Sequence, residues 1–329
     1  MQRIVEIIKD KAGKLLADGT VDRVIGWKDG EFFYDPTPGA FTAETLKDLR
    51  YDSFCGANLS KYLIGECKKE GKVLALLKPC DTYSFNQLLK EHRIDRDKVY
   101  VLGIECRGKA DINKIRDLGI KGIQSIEELP GDELLIHTIY GDKTCKLNDV
   151  LLEKCLCCKG KAFMVADDEA VVTGEPMPEA PKDRFAMVAK LEMMTPDERF
   201  EFWRGELSRC IRCNACRNVC PACSCLKCVF DNDASGVASK ANADDFEENL
   251  FHIIRAFHVA GRCTDCGECS RVCPEHIPLH LLNRKFIKDI NEFYGEYQAG
   301  EDTTSRGPLT NYTTGDVEPS IVMTRGGEQ

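Results

Sequence analysis

Short apolar runs alternate with amphipathic stretches over residues 1–175. Residues 21–25 read as a strand, and residues 31–34 as its partner across a Lys28-Asp29-Gly30 turn. Residues 59–69 carry helical spacing. The run KVLALL at 72–77 predicts a buried strand, and residues 81–90 a helix capped by Asp81. A second buried strand, VYVLGI, follows at 99–104 and a second helix at 112–118. Residues 134–140 and 162–172 read as further strands. Strands alternating with helices predict an α/β domain over 1–175 with a mostly parallel sheet.

The pattern then changes. Residues 176–195 read as a linker, in and after the Pro-rich acidic run GEPMPEAP. Thr195-Pro196-Asp197-Glu198 has the form of a capping box with proline at the first helical position. It predicts a helix that delivers the chain to Cys210. A second helix is expected over 243–259, where Phe246, Leu250, Ile253, Ile254 and Phe257 share one face, read as core packing. A third is expected over 278–293. Residues 196–299 thus form a mainly α-helical domain, and 300–329, rich in Gly, Thr, Ser and charge, read as an extended tail.

The cysteines turn this layout into chemistry. The chain has 19 in 329 residues. Eight fall in two copies of one run: Cys210-x2-Cys213-x2-Cys216-x3-Cys220-Pro221, and Cys263-x2-Cys266-x2-Cys269-x3-Cys273-Pro274. This is the bacterial ferredoxin spacing, in which three thiolates grip one [4Fe–4S] cluster and the fourth ligates the other. The expected sets are Cys210, Cys213, Cys216 and Cys273 for one cluster, and Cys263, Cys266, Cys269 and Cys220 for the other. Structural zinc uses separated Cys pairs and does not need this run. The long insert between the copies makes a helical dicluster ferredoxin domain the expectation.

The opening residues are charged and amphipathic, without the apolar segment of a signal peptide. So many thiols in a chain read as cytoplasmic mean metal, not disulfides. No apolar run reaches the ~18 residues of a membrane span. The net charge of −9 argues against nucleic acid as a partner.

Other cysteines sit where α/β sheets bind ligands. Cys80 and Cys106 each follow a buried strand, and Cys155 and Cys158 form a CxxC around Cys157. They either converge as a third [4Fe–4S] site or pack as small apolar residues, the reading that suits Cys67 and Cys145. Cys223, Cys225 and Cys228 extend the first run. They either join another cluster with a donor from elsewhere or pack as thiols that tune a potential. His276, close after Cys273, reads as a surface or capping histidine.

These segments resemble the coenzyme F420 hydrogenase/dehydrogenase β-subunit family, which includes formate dehydrogenase β subunits. The resemblance rests on VLALLKPC at 73–80, VLGIEC at 101–106, CLCC at 155–158 and SFCGANLSKYL at 53–63. The dicluster part, CIRCNACRNVCPACSC, is also similar to segments of heterodisulfide reductase and anaerobic sulfite reductase subunits. The resemblance implies a third cluster beside an FAD that passes electrons between F420 and the clusters. Lys78, Asn58 and Ser60 are the flavin-contact candidates; their alternative role is turn and cap chemistry. Two features depart from the family: the ferredoxin segment lies behind the α/β domain, and the first 50 residues are atypical. No G-x-G-x-x-G loop is present, but the family does not bind FAD by that loop.

No hydrolase or transferase nucleophile is legible. The expectation is an iron–sulfur electron-transfer subunit of an anaerobic oxidoreductase complex, formate dehydrogenase-, hydrogenase- or heterodisulfide-reductase-like. Its alternative is an FAD-containing catalytic subunit exchanging a hydride with F420 or a nicotinamide. A scaffold with structural clusters is the third.

Overall fold

The computed structural model describes residues 2–172, 182–231 and 245–310. The first domain is built on a five-stranded sheet in the order β2-β1-β3-β4-β8. Its strands are β1 (Arg23–Lys28), β2 (Thr37–Phe41), β3 (Val73–Leu77), β4 (Val99–Ile104) and β8 (Asp168–Ala170). β1, β3, β4 and β8 run parallel, and β2 is an antiparallel edge. Every residue of β3 is buried, as a strand covered on both faces requires. Pro38 sits on β2, where an edge tolerates the missing N–H.

Helices α1 (Gln2–Ala17), α2 (Leu63–Glu66), α3 (Pro79–Lys90), α4 (Ile112–Asp117) and α5 (Glu153–Leu156) complete this region. A second, three-stranded antiparallel sheet joins β5 (Ile123–Leu129), β6 (Glu133–Thr138) and β7 (Lys143–Lys146). The C-terminal part is helical: α6 (Ala186–Glu192), α7 (Pro196–Leu207), α8 (Ala215–Asn218), α9 (Asp245–His258), α10 (Glu268–Arg271) and α11 (His280–Tyr294). On α7, Thr195 and Glu198 close the expected capping box.

Several expectations are corrected. The partner of β1 is β2, not 31–34: those residues stay in a loop that Gly30 closes, since a Cβ there would lie 1.7 Å from the Asp35 carbonyl oxygen. The helix over 59–69 is a 3-10 turn, Leu59–Tyr62, followed by the short α2. Lys78, not Asp81, caps α3, because Pro79 takes its first turn and the Asp81 carboxylate pairs with the Lys78 amine. The strand over 162–172 shrinks to β8, and Phe163 instead lies over Gly103, where a Cβ would meet its ring at 2.9 Å. Strand 134–140 belongs to the antiparallel sheet. The linker includes α6, whose Val188 and Leu191 pack on Leu281 of α11; residues 173–181 lie outside the described residues.

The apolar stripe on α9 is also corrected. Phe246 and Phe257 are 73% and 62% exposed, while His252 and Arg255 of the same helix are 1% and 2% exposed. The inward face of α9 is mixed: it buries Glu248, His252 and Arg255 together with Phe251 and Ala256, and Phe251 packs against cysteines. Of the tail, residues 300–310 run back over α3: Gly300 lies so close that a Cβ would be 1.8 Å from the Tyr83 carbonyl oxygen, and Lys90 Nζ reaches Ser305 Oγ at 3.1 Å. The rest of the tail lies outside the described residues.

Candidate metal centres

The two cysteine runs fold as structural repeats. In each, the first thiol accepts the backbone N–H two residues on, Arg212 to Cys210 and Asp265 to Cys263, both at 3.4 Å. Arg212 and Asp265 have left-handed backbone, at φ 54° and 52°. So do the residues two further on, Asn214 at 61° and Gly267 at 68°. Asn and Gly are the residues that adopt this conformation most easily. These paired left-handed turns curl the first two thiols of each run, then start α8 and α10, which carry the third, Cys216 and Cys269.

The fourth thiols change places. Cys273 joins Cys210, Cys213 and Cys216 in lining one small cavity, along with Phe251 and His252. Cys220 lies instead in the electrostatic reach of Cys263, Cys266 and Cys269. Burial pushes the Cys210 thiol up to about 12 and Cys216 up to about 11. Without metal these groups are protonated, weakly polar side chains. Sulfur-only donor sets suit iron–sulfur chemistry, in which the metal displaces the protons.

A further set forms in the first domain. Cys80 lies in the first turn of α3, Cys106 just past β4, Cys155 on α5 and Cys158 just beyond. The Cys80 and Cys158 thiols are hydrogen-bonded to each other. Cys155 lies within electrostatic reach of both Cys106 and Cys80, and burial pushes it up to about 12. Gly160 permits this closure: a Cβ there would lie 2.6 Å from the backbone N of Cys80. Its N–H bonds Cys158 Sγ at 3.4 Å. Cys157 takes a different partner, the Asp183 carbonyl at 3.7 Å.

Residues that the sequence did not single out join this set to the ferredoxin part. Lys154 Nζ meets Glu268 Oε1 of α10 at 2.5 Å and the Gly56 carbonyl at 2.6 Å. Lys159 donates to the Thr264 carbonyl, and Ser84 Oγ lies 2.8 Å from Thr264 Oγ1. Lys61 donates to the Cys223 carbonyl at 2.5 Å, and Arg262 pairs with Glu91 at 2.6 Å. These pairs join residues far apart in sequence, so no local signal marks them.

The Cys223 thiol shares a hydrogen bond with Cys220, which holds it below the usual thiol range. Cys225 is exposed and, like Cys223, lies near Lys61 and Arg262. Cys228 sits elsewhere, beside Arg217. His276 is exposed, as its surface reading expected.

The flavin-contact candidates converge, but inward. Lys78 Nζ bonds the Ala57 carbonyl at 2.7 Å and Asp81 at 2.6 Å, beneath the Trp27 ring. Asn58 Nδ2 donates to Ser84 Oγ at 2.9 Å, and its Oδ1 accepts the Ser60 N–H at 3.0 Å. Ser60 Oγ donates to the Asp81 carbonyl at 2.9 Å. All three are at most 1% exposed, which is cap and turn chemistry. A cleft of about 380 Å³ opens instead next to Cys106, lined by Ser53, Glu105, Arg107, Glu128 and Asp132. It lies at the C-terminal end of β4, between the two sheets.

Residues 206–277, which carry both ferredoxin-type runs, match the model of the 4Fe-4S dicluster domain family. The chain is similar to the F420-dependent formate dehydrogenase subunit beta of Methanocaldococcus jannaschii, 26% identical over 90% of this chain and 92% of that one. It is likewise similar to F420-dependent formate dehydrogenase 1 subunit beta of Methanococcus maripaludis, 25% identical over 88% of each. A chain of the F420-reducing [NiFe] hydrogenase complex from Methanosarcina barkeri aligns over 48% of this chain and 62% of that one. Its 16% identity and TM-score of 0.37 are too slight to define a shared fold.

Proposed function

We infer that this chain is an iron–sulfur electron-transfer subunit of an oxidoreductase complex. Three cysteine sets lie in series, and this carries the reading. Cys80, Cys106, Cys155 and Cys158 would hold a cluster in the first domain. Cys263, Cys266, Cys269 and Cys220 would hold the next. Cys210, Cys213, Cys216 and Cys273 would hold the last. Bound [4Fe–4S] clusters supply one-electron couples whose potentials depend on charge, hydrogen bonds to sulfur and burial. The protein sets those terms through the N–H groups of Arg212, Asp265 and Gly160 and through the buried Lys154 and Glu268. The partner is a catalytic subunit of the formate dehydrogenase kind, as the names of the relatives suggest. Among the described residues no helix is long and apolar enough to cross a membrane.

A second reading, a flavin-bearing subunit that exchanges hydride with F420 or a nicotinamide, draws support from the cleft beside Cys106. Its volume falls in the usual range of small-molecule sites. It lies where parallel sheets present ligands, beyond a strand's carboxyl end. On this reading the flavin meets the cleft rather than Lys78, Asn58 and Ser60.

Pairs of variants test the ligand sets. Cys220→Ala should change the electron paramagnetic resonance of the reduced protein in the same way as Cys266→Ala. Cys273→Ala should match Cys213→Ala. The opposite pairing would overturn the crossed sets. Stoichiometric flavin on acid extraction, with F420 reduction by the chain, would favour the second reading.

A further inference from the structure

Arg255 is the group that the cluster-binding reading leaves without a task. It lies on α9 and is 2% exposed. Among the described residues no oxygen or nitrogen accepts from Nε, Nη1 or Nη2, and the groups in bonding reach are the thiols of Cys223 and Cys269. A buried guanidinium is always charged, and leaving it uncompensated is strongly unfavourable. A natural fold keeps such a group where something anionic meets it.

What surrounds it is sulfur. The thiols whose charge Arg255 feels are Cys269, Cys216, Cys220 and Cys223. One of these, Cys216, belongs to the first set; Cys220 and Cys269 belong to the second. Packing along α9 agrees. Four residues before Arg255, Phe251 packs in a cluster with Cys210, Cys216, Cys269 and Cys273. Four residues after it, Val259 packs with Cys220, Cys223 and Cys263. Residues four apart share a helix face, so Arg255 lies midway along the face that joins the two sets. Its planar fork presents donors in several directions at once, as a lysine cannot.

We propose that Arg255 is a shared positioning residue of the two ferredoxin-type clusters, a single buried cation whose N–H groups face the sulfurs of both. The proposal rests on the cluster-binding reading above. A cluster with four thiolates is anionic, and a reduced one more so. A fixed cation between two of them favours the reduced state of each and screens the repulsion between them when both are reduced. The guanidinium therefore raises both potentials together and helps the pair to accept two electrons in succession. It touches no substrate and takes no part in bond chemistry.

The test uses the full chain, purified without oxygen, with Arg255→Gln and Arg255→Lys beside the natural protein. Iron and acid-labile sulfide are counted, and each cluster's reduction is followed by potentiometric titration read by electron paramagnetic resonance. With iron retained, Arg255→Gln should lower the reduction equilibrium of both clusters by about tenfold or more, about 59 mV for one electron. Arg255→Lys should fall between. A shift in one cluster alone, or in neither, with full iron, would overturn the proposal. Should Arg255→Gln lose iron, Arg255→Lys decides: iron restored by the retained charge supports the proposal, and equal loss in both overturns it. Iron of about eight or more in the natural protein, enough for both ferredoxin-type clusters, distinguishes a failure of this proposal from a failure of the cluster-binding reading itself.

Discussion

Lys154 of the first domain and Glu268 of α10 form an ion pair at 2.5 Å, with side chains 6% and 0% exposed. The pair sits between two cysteine sets, since Lys154 feels Cys80 and Cys266 feels Glu268. Its members are not equivalent. Glu268 also holds Arg271 through two bonds of 2.8 Å, whereas Lys154, among the described residues, otherwise reaches only the Gly56 carbonyl. Glu268→Ala therefore strands a buried cation and is expected to cost on the order of 3–5 kcal/mol. Lys154→Met leaves Glu268 paired and should cost clearly less. The double variant should recover part of the Glu268→Ala loss. Denaturant midpoints of the anaerobic protein read all three; equal single costs that add in the double variant would refute the asymmetry.

Neighbouring cysteines should behave differently. Cys158 bonds Cys80, while Cys157 faces the Asp183 carbonyl. Cys158→Ala and Cys106→Ala should each lose about four irons per chain, and Cys157→Ala none. Gly160→Ala should also lower iron at this site, because its Cβ would strike the Cys80 backbone at 2.6 Å. Unchanged iron in Cys106→Ala would remove the first-domain site from the account.

His280 gives the chain a pH dependence. Burial, and next the Arg284 guanidinium, push its imidazole down to about 4. Its Nδ1 lies 2.8 Å from Ser270 Oγ. The fold thus holds His280 neutral while the unfolded chain takes up a proton near 6.5. This contribution is fully present above the unfolded value and is lost as pH falls from there toward 4. By pH 5 the loss is up to about 2 kcal/mol. His280→Gln should flatten that part of the stability profile between pH 7 and 5; an unchanged slope would show that His280 does not titrate on unfolding.

Local signals were readable in the sequence. The ferredoxin runs are short-range geometry, so their spacing announces the turns at Arg212–Asn214 and Asp265–Gly267. The Thr195–Glu198 capping box is equally local. Buried β3 and β4 stand out as continuous apolar runs. Long-range relations were not readable. The exposed, weakly alternating β5 pairs with β6 only because the two meet in space. On α9, hydrophobicity points to Phe246 and Phe257, but these are exposed, and Glu248, His252 and Arg255 are buried beside Phe251 and Ala256. Lys78, Asn58 and Ser60 carry polar atoms that suit a ligand, yet their partners across α3 claim them. Composition alone does not separate a polar group aimed at a ligand from one aimed at its own backbone.

The most direct measurement is iron and acid-labile sulfide per chain on anaerobically purified protein. Three sets in series predict about twelve of each. About eight would contradict a metal at Cys80, Cys106, Cys155 and Cys158 and reduce the chain to its dicluster part. Fewer still would contradict the two ferredoxin-type sets themselves.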